Sequence, residues 1–198
     1  MFKRFESVTP RKANFKTREE WLTEFVDFMR PVFEDAGKPL SKVRVACGMT
    51  TSRNADGECF HSECSEDGTR EIFISPTQSD PVAVCHILIH ELCHAALPED
   101  VTHGPEFKKL ATTMGLEGRM TSTTPCEELR KALEDFIPKY LGEYPHKKMT
   151  RIKQNKQTTR LIKLTCEGCG MVIRTTRKWI DDTGAPTCAC GGGFEEEE

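Results

Sequence analysis

No stretch of this 198-residue chain approaches the ~20 uncharged apolar residues that a membrane-spanning helix requires. Its opening, MFKRFESVTPRKANFKTREE, is charged and lacks the apolar core of a secretory signal. Internal repeats are absent as well. These absences predict an intracellular protein that does not contact a membrane, cytoplasmic in a bacterium or in a phage-infected cell. Histidine is scarce too. The chain has six, yet four of them fall within HILIHELCHAALPEDVTHGPEF, residues 86–107.

What is present fits a globular protein. Hydrophobic residues make up 37% and charged residues 30%, enough for one full domain and a small appendage. Ten cysteines are many for a reducing compartment, where disulfides are disfavoured. Four of them, Cys166, Cys169, Cys188 and Cys190, form two close pairs near the end, which points to a metal rather than to oxidation. The other six are scattered and read mostly as small core residues.

The net charge of -3 conceals an asymmetry. Residues 147–178 hold ten basic side chains against one acid, a local charge of +9. The segments on either side are each acidic.

Helical and strand periodicities organise the chain. TREEWLTEFVDFMRPVFEDAG opens with a Thr17/Glu20 capping box, places apolar residues at helical spacing and ends at Gly37. KVRVACG alternates as a strand, and GECFHSECSEDGTREIFISP reads as two strands joined around EDG. SDPVAVCHILIHELCHAAL is almost wholly apolar, with Ser79 or Asp80 as cap and Pro81 at the first helical position, so it predicts a helix buried in the core. HGPEFKKLATTMG predicts a shorter helix. TPCEELRKALEDFIPKYLG predicts another, capped by Thr124 with Glu127. YPHKKMTRIKQNKQTTRL reads as a linker, and the closing glutamates as a solvated tail. The division is then 1–146 for the main domain, 147–160 for the basic linker, 161–194 for a cysteine-bearing module and 195–198 for the acidic tail.

Within the buried helix, His90 and His94 are four residues apart and share one face, about 40° apart. Each can offer an imidazole nitrogen to one zinc ion. Glu91, displaced by about 100°, falls beside such a metal, where it can accept a proton from an activated water. Catalytic zinc takes three protein ligands and leaves one position open. His103 is the best third ligand, because LPED breaks the helix and lets the chain return before the next helix begins. Imidazoles and a carboxylate buried without partners would cost several kcal/mol, and a divalent cation is the partner they need. His86, one turn earlier, reads as a packed histidine, with a ligand or supporting role as the alternative.

VCHILIHELCHAALPEDVTHGPEFKKLATTMGL resembles the SprT-like (Spartan) family of zinc metallopeptidases, in which HExxH is followed by a third histidine in an HGxxF-type sequence. The resemblance covers roughly residues 17–140 and is most specific over 86–107. It implies an α+β, zincin-like metallopeptidase domain with helices packed on a small β-sheet. It also implies zinc on His90, His94 and His103, with Glu91 as catalytic base. The implied activity is endopeptidase cleavage of proteins bound or crosslinked to DNA. The spacer of eight residues between His94 and His103 is short for such a domain and leaves little loop to face a substrate.

CEGCG is followed by CACGG, with eighteen residues between Cys169 and Cys188, and four thiolates around one zinc form a closed structural site. A four-cysteine zinc ribbon is the reading, although its second pair has one intervening residue instead of two. The resembled proteins often carry such a ribbon. Cys59, His61 and Cys64 look ligand-like but read as a hairpin without metal, with Cys64 on the opposite strand face. The basic segment offers Lys147, Lys148, Arg151, Lys153, Lys156, Arg160, Arg174, Arg177 and Lys178 to phosphates and Trp179 to a base. No sequence-reading motif accompanies them, so single- or double-stranded DNA would be bound without sequence preference. The expectation is a monomer with one catalytic and one structural zinc and a protein substrate. The rival is a non-catalytic, zinc-containing nucleic-acid-binding or regulatory protein.

Overall fold

The computed structural model describes residues 2–11, 13–150 and 160–196. It divides into two compact units, Met1–Arg151 and Ile152–Glu198, each mixed in secondary structure.

The first unit begins with a short helix, α1 (Phe2–Glu6), and then α2 (Arg18–Asp35). Thr17 accepts from the Glu20 amide while the Glu20 carboxylate takes the Thr17 amide, so the anticipated capping box is formed. Gly37 follows with φ +71°, a left-handed conformation that a side chain would resist. The periodic face of α2 (Trp21, Leu22, Phe25, Met29 and Phe33) is fully buried.

Three strands, β1 (Val43–Cys47), β2 (Gly57–Cys59) and β3 (Arg70–Ile74), form a sheet in the order β1-β3-β2. β3 runs parallel to β1 and antiparallel to β2, which leaves β2 at an edge. Strand period shows in β3, where Arg70, Ile72 and Ile74 are buried and the residues between them are not. The first strand of the anticipated hairpin is shorter than ECFHSEC suggests. It stops at Cys59, and Ser62–Cys64 form a 3-10 turn, so His61 and Cys64 do not continue the strand alternation.

Helix α3 (Pro81–Ala95) packs against β2 and β3 and is the central element. Asp80 caps it by accepting from the Ala83 amide. Helix α4 (Pro105–Thr113) packs on α3, and α5 (Glu127–Phe136) packs on α3 and α1. Between α4 and α5 lies a hairpin, β4 (Leu116–Arg119) and β5 (Ser122–Pro125), that periodicity did not reveal. It corrects the expected Thr124/Glu127 capping box: Thr124 pairs with Glu117 in the ladder, and Cys126 precedes α5 without a side-chain cap.

The chain from 145 to 149 belongs to this unit rather than to a linker that starts at 147. Arg18, only 5% exposed, donates to the carbonyls of Pro145 and Lys147 at 3.0 and 2.9 Å, and the Met149 amide donates to the Pro76 carbonyl at 2.8 Å. A buried guanidinium needs acceptors, and these carbonyls supply them. Most of the basic linker, including Arg151, Lys153 and Lys156, lies outside the described residues.

The second unit contains β6 (Leu161–Cys166), β7 (Val172–Thr176), a short helix α6 (Arg177–Thr183) and β8 (Phe194–Glu196), with sheet order β7-β6-β8. Glu195 and Glu196 are exposed but pair with Thr165 and Leu164, so the module runs to Glu196. The module therefore ends two residues beyond the expected boundary at 194, while the Glu195 and Glu196 side chains stay in solvent and 197–198 lie outside the described residues. Backbone pairing to an edge is available to any side chain that can face water. Among the described residues, no helix is long and apolar enough to cross a membrane.

Candidate metal centre

Two features aim α3 at the site. Asp80 and Pro81 set its start. At its end, the buried Arg70 of β3 donates to the carbonyls of His94 and Leu97 at 2.6 and 3.0 Å. A cation there satisfies orphan carbonyls and complements the helix dipole. Arg70 also lies 3.4 Å from Glu99, whose carboxylate accepts from the Ser62 amide at 2.7 Å, so the turn after β2 and the loop after α3 are tied together. Nothing in the periodicity of REIFI marked Arg70 for this part.

His90 and His94 project from one face of α3, and His103 returns from the loop just before α4. The Nε2 atom of His103 lies 3.2 Å from Nε2 of His90 and 3.2 Å from Nε2 of His94. Three nitrogens held ~2.0–2.1 Å from one tetrahedral ion would sit about 3.3 Å apart. The spacing therefore fits a zinc-sized ion, and the donor set suits zinc. Beneath the three rings lies the fully buried Phe107, its centroid 4.9, 4.3 and 4.9 Å from those of His90, His94 and His103. His86 lines the same cleft but is not part of this cluster.

Burial holds His90 near pKa 3 and His94 near 4, with neighbouring imidazoles adding to the effect, and burial lowers His103 too. All three rings are therefore neutral at pH 7, with lone pairs available to a metal. Glu91 is 7% exposed, and burial, reinforced by the Glu58 carboxylate, pushes its pKa up to about 8. A carboxyl group with a raised affinity for protons suits proton transfer near neutral pH.

Glu91 faces the edge strand at Gly57, where a Cβ would fall 2.7 Å from the Glu91 Oε1 and 2.7 Å from the Ile87 Cγ2. Gly57 is thus the residue that lets β2 come up against α3. The cleft above the cluster has a volume of about 580 Å³, bounded by β2, α3, the 98–103 loop and the 121–123 turn. Thr123 of β5 meets Nδ1 of His90 through its Oγ1 at 2.9 Å. No local signal in TSTTP could have picked it out.

In the second unit, the sulfurs of Cys166 and Cys190 are 3.5 Å apart and those of Cys169 and Cys188 are 3.6 Å apart. All four lie within 4.8 Å of one another. A disulfide would need ~2.05 Å, whereas sulfurs ~2.3 Å from a tetrahedral zinc lie about 3.8 Å apart. The four-thiol group therefore fits zinc, despite the single residue between Cys188 and Cys190. Glycine permits it. Gly191 turns at φ +85° so that its amide reaches the Cys188 carbonyl at 2.9 Å, and a Cβ on Gly192 would fall 2.8 Å from the Cys166 sulfur.

The candidate nucleic-acid residues divide. Arg174 lies opposite Lys163 in the β6–β7 ladder, on the face shared by the exposed Leu161 and Val172. Lys163 belongs to the same basic run, although its sequence context did not single it out as a contact. Arg177 is engaged by the Glu196 carboxylate at 2.5 and 2.6 Å. Trp179 is 58% exposed on α6, and Arg160, Lys178, Lys147 and Lys148 are exposed.

Two histidines of one helix that meet a third from the loop beyond it, with a glutamate lining the same cleft, are the arrangement of a metallopeptidase-like domain. The sequence profile of the SprT-like family matches residues 23–127, and the chain belongs to that family. Neither a curated protein nor a solved structure matches the chain.

Proposed function

We propose that the chain is a zinc-dependent endopeptidase with a zincin-like catalytic domain, acting on proteins bound or crosslinked to DNA. The observation that carries the proposal is the approach of His103 Nε2 to within 3.2 Å of Nε2 on both His90 and His94, in a cleft that the buried Glu91 of raised pKa also lines. His90, His94 and His103 would hold the zinc, which when bound supplies a Lewis acid that polarises the scissile carbonyl and acidifies water. Glu91 takes the proton from the attacking water and returns it to the leaving amine. Edge strand β2, next to α3, offers backbone groups to which an extended substrate segment can pair, so that its scissile bond lies over the cluster. The four cysteines would hold a second zinc that folds the small module.

Support for a DNA-bound substrate comes from the +9 charge of residues 147–178, the Lys163/Arg174 face and the exposed Trp179. The test is cleavage of a DNA-bound protein by the wild type and by Glu91→Gln, with and without DNA. The variant should keep its zinc and lose roughly 10²–10⁴-fold in rate. A wild type that binds DNA and two zincs but cleaves nothing would instead make the chain a nucleic-acid-binding protein. Cleavage indifferent to DNA would point to a dedicated partner protein as substrate.

A further inference from the structure

We propose that Thr123 is a positioning residue for the metal centre, holding His90 through its Nδ1 so that Nε2 faces the ion. His90 is 8% exposed and Thr123 9%, and the Nδ1···Oγ1 distance is 2.9 Å. Nε2 of His90 points at the other imidazoles, 3.2 Å from His103. A ring that gives its Nε2 lone pair to a metal carries its proton on Nδ1. That N–H then donates to the Thr123 hydroxyl oxygen. The bond fixes both the tautomer and the rotation of the ring, the two things a ligand must hold steady.

The hydroxyl is itself held by tertiary structure. In β5, Thr123 and Pro125 are buried while Ser122 and Thr124 are exposed, as a strand with one face inward requires. The ladder pairs Thr123 with Gly118, and the hairpin packs against α3, α4 and α5. Thr123 thus reaches His90 from a braced strand, 33 residues further along the chain. Its partner is a neutral oxygen rather than a carboxylate, which leaves the imidazole less electron-rich and a bound metal a stronger Lewis acid.

The proposal rests on the metal centre of the preceding reading and not on peptidase activity. Zinc affinity is measured on the full chain by competition with a chromophoric chelator, with the four-cysteine zinc as internal reference. Thr123→Val keeps the shape and removes the hydroxyl, while Thr123→Ser keeps the hydroxyl. The Val variant should weaken the histidine-bound zinc by roughly 10–100-fold, and Ser should restore it to near wild type. The four-cysteine zinc should be unchanged in both. In the zinc-loaded wild type the His90 Nδ1–H should give a slowly exchanging NMR signal that Val abolishes. Equal affinity in Val and wild type, or a Ser variant as weak as Val, would overturn the proposal. So would loss of both zincs together or unfolding of both variants, since Thr123 would then serve hairpin packing alone. A protein that shows the Thr123 effect yet cleaves nothing would sink the peptidase reading and leave this one standing.

Discussion

Replacing Glu91 by Gln should flatten the pH dependence of stability in the metal-free protein. Glu91 is 7% exposed and its pKa is raised from 4.5 to about 8, first by burial and then by Glu58. The folded state therefore holds this proton more tightly than the unfolded chain does. Its contribution is complete below the ordinary glutamate pKa and is lost as pH rises through about 8. At ~1.36 kcal/mol per pH unit, the loss between pH 5 and pH 8 is on the order of 4 kcal/mol. His90 and His94 act in the opposite direction. Their pKa values fall from 6.5 to about 3 and about 4, so their contribution is lost as pH falls from 6.5 toward those values. Both are present in variant and wild type, so the difference between the two proteins isolates Glu91. The assay is urea unfolding of chelator-stripped protein at several pH values. It follows Trp21, fully buried in α2, in a Trp179→Phe background that leaves no other tryptophan. The Gln variant should gain about 4 kcal/mol on the wild type between pH 5 and pH 8. Parallel stability curves would show that Glu91 ionises as it would in water and would refute the raised pKa.

Further outcomes follow from other parts of the molecule. Gly57→Ala should cost about 1–3 kcal/mol by overpacking and roughly 10²-fold in cleavage rate through displacement of Glu91; zinc content should be intact, and an unaltered rate would mean that β2 simply moves aside. Truncation after Thr150 should lower zinc from two per chain to one by elemental analysis, and Cys169→Ser should do the same. A cut after Pro145 should also destabilise the first unit by about 1–3 kcal/mol, because Arg18 loses the Lys147 carbonyl. DNA affinity should fall steeply with salt, and the double change Lys163→Glu, Arg174→Glu should reduce the slope of log K against log salt by about 2; an unchanged slope would take the β6–β7 face out of the contact.

Much of the centre was legible because its geometry is local. An i, i+4 pair of histidines shares a helix face wherever that helix is packed, and the apolar run around it required burial. His103 could be named because LPED ends one helix and GP opens the next. The paired cysteines carried their own turns. The N-terminal capping box was equally local, and Thr17 with Glu20 formed as read. The Thr124/Glu127 box was legible in the same way and yet did not form, because β4 claimed Thr124 for a ladder that no short-range pattern announces.

Other parts depended on contacts made across long stretches of chain. Arg70 reaches carbonyls 24 and 27 residues away, Thr123 reaches back 33 residues to His90, and Gly57 matters only because β2 lies against α3. Side-chain periodicity reports which face of an element is buried, not what it is buried against. The sequence by itself determined which residue types could bind a metal and that they share a helix face. Tertiary packing alone decided the 3.2 Å convergence with His103, the bond that orients His90 and the burial that raises the Glu91 pKa. Distances and desolvation are properties of neighbours in space, and the order of residues along a chain does not state them.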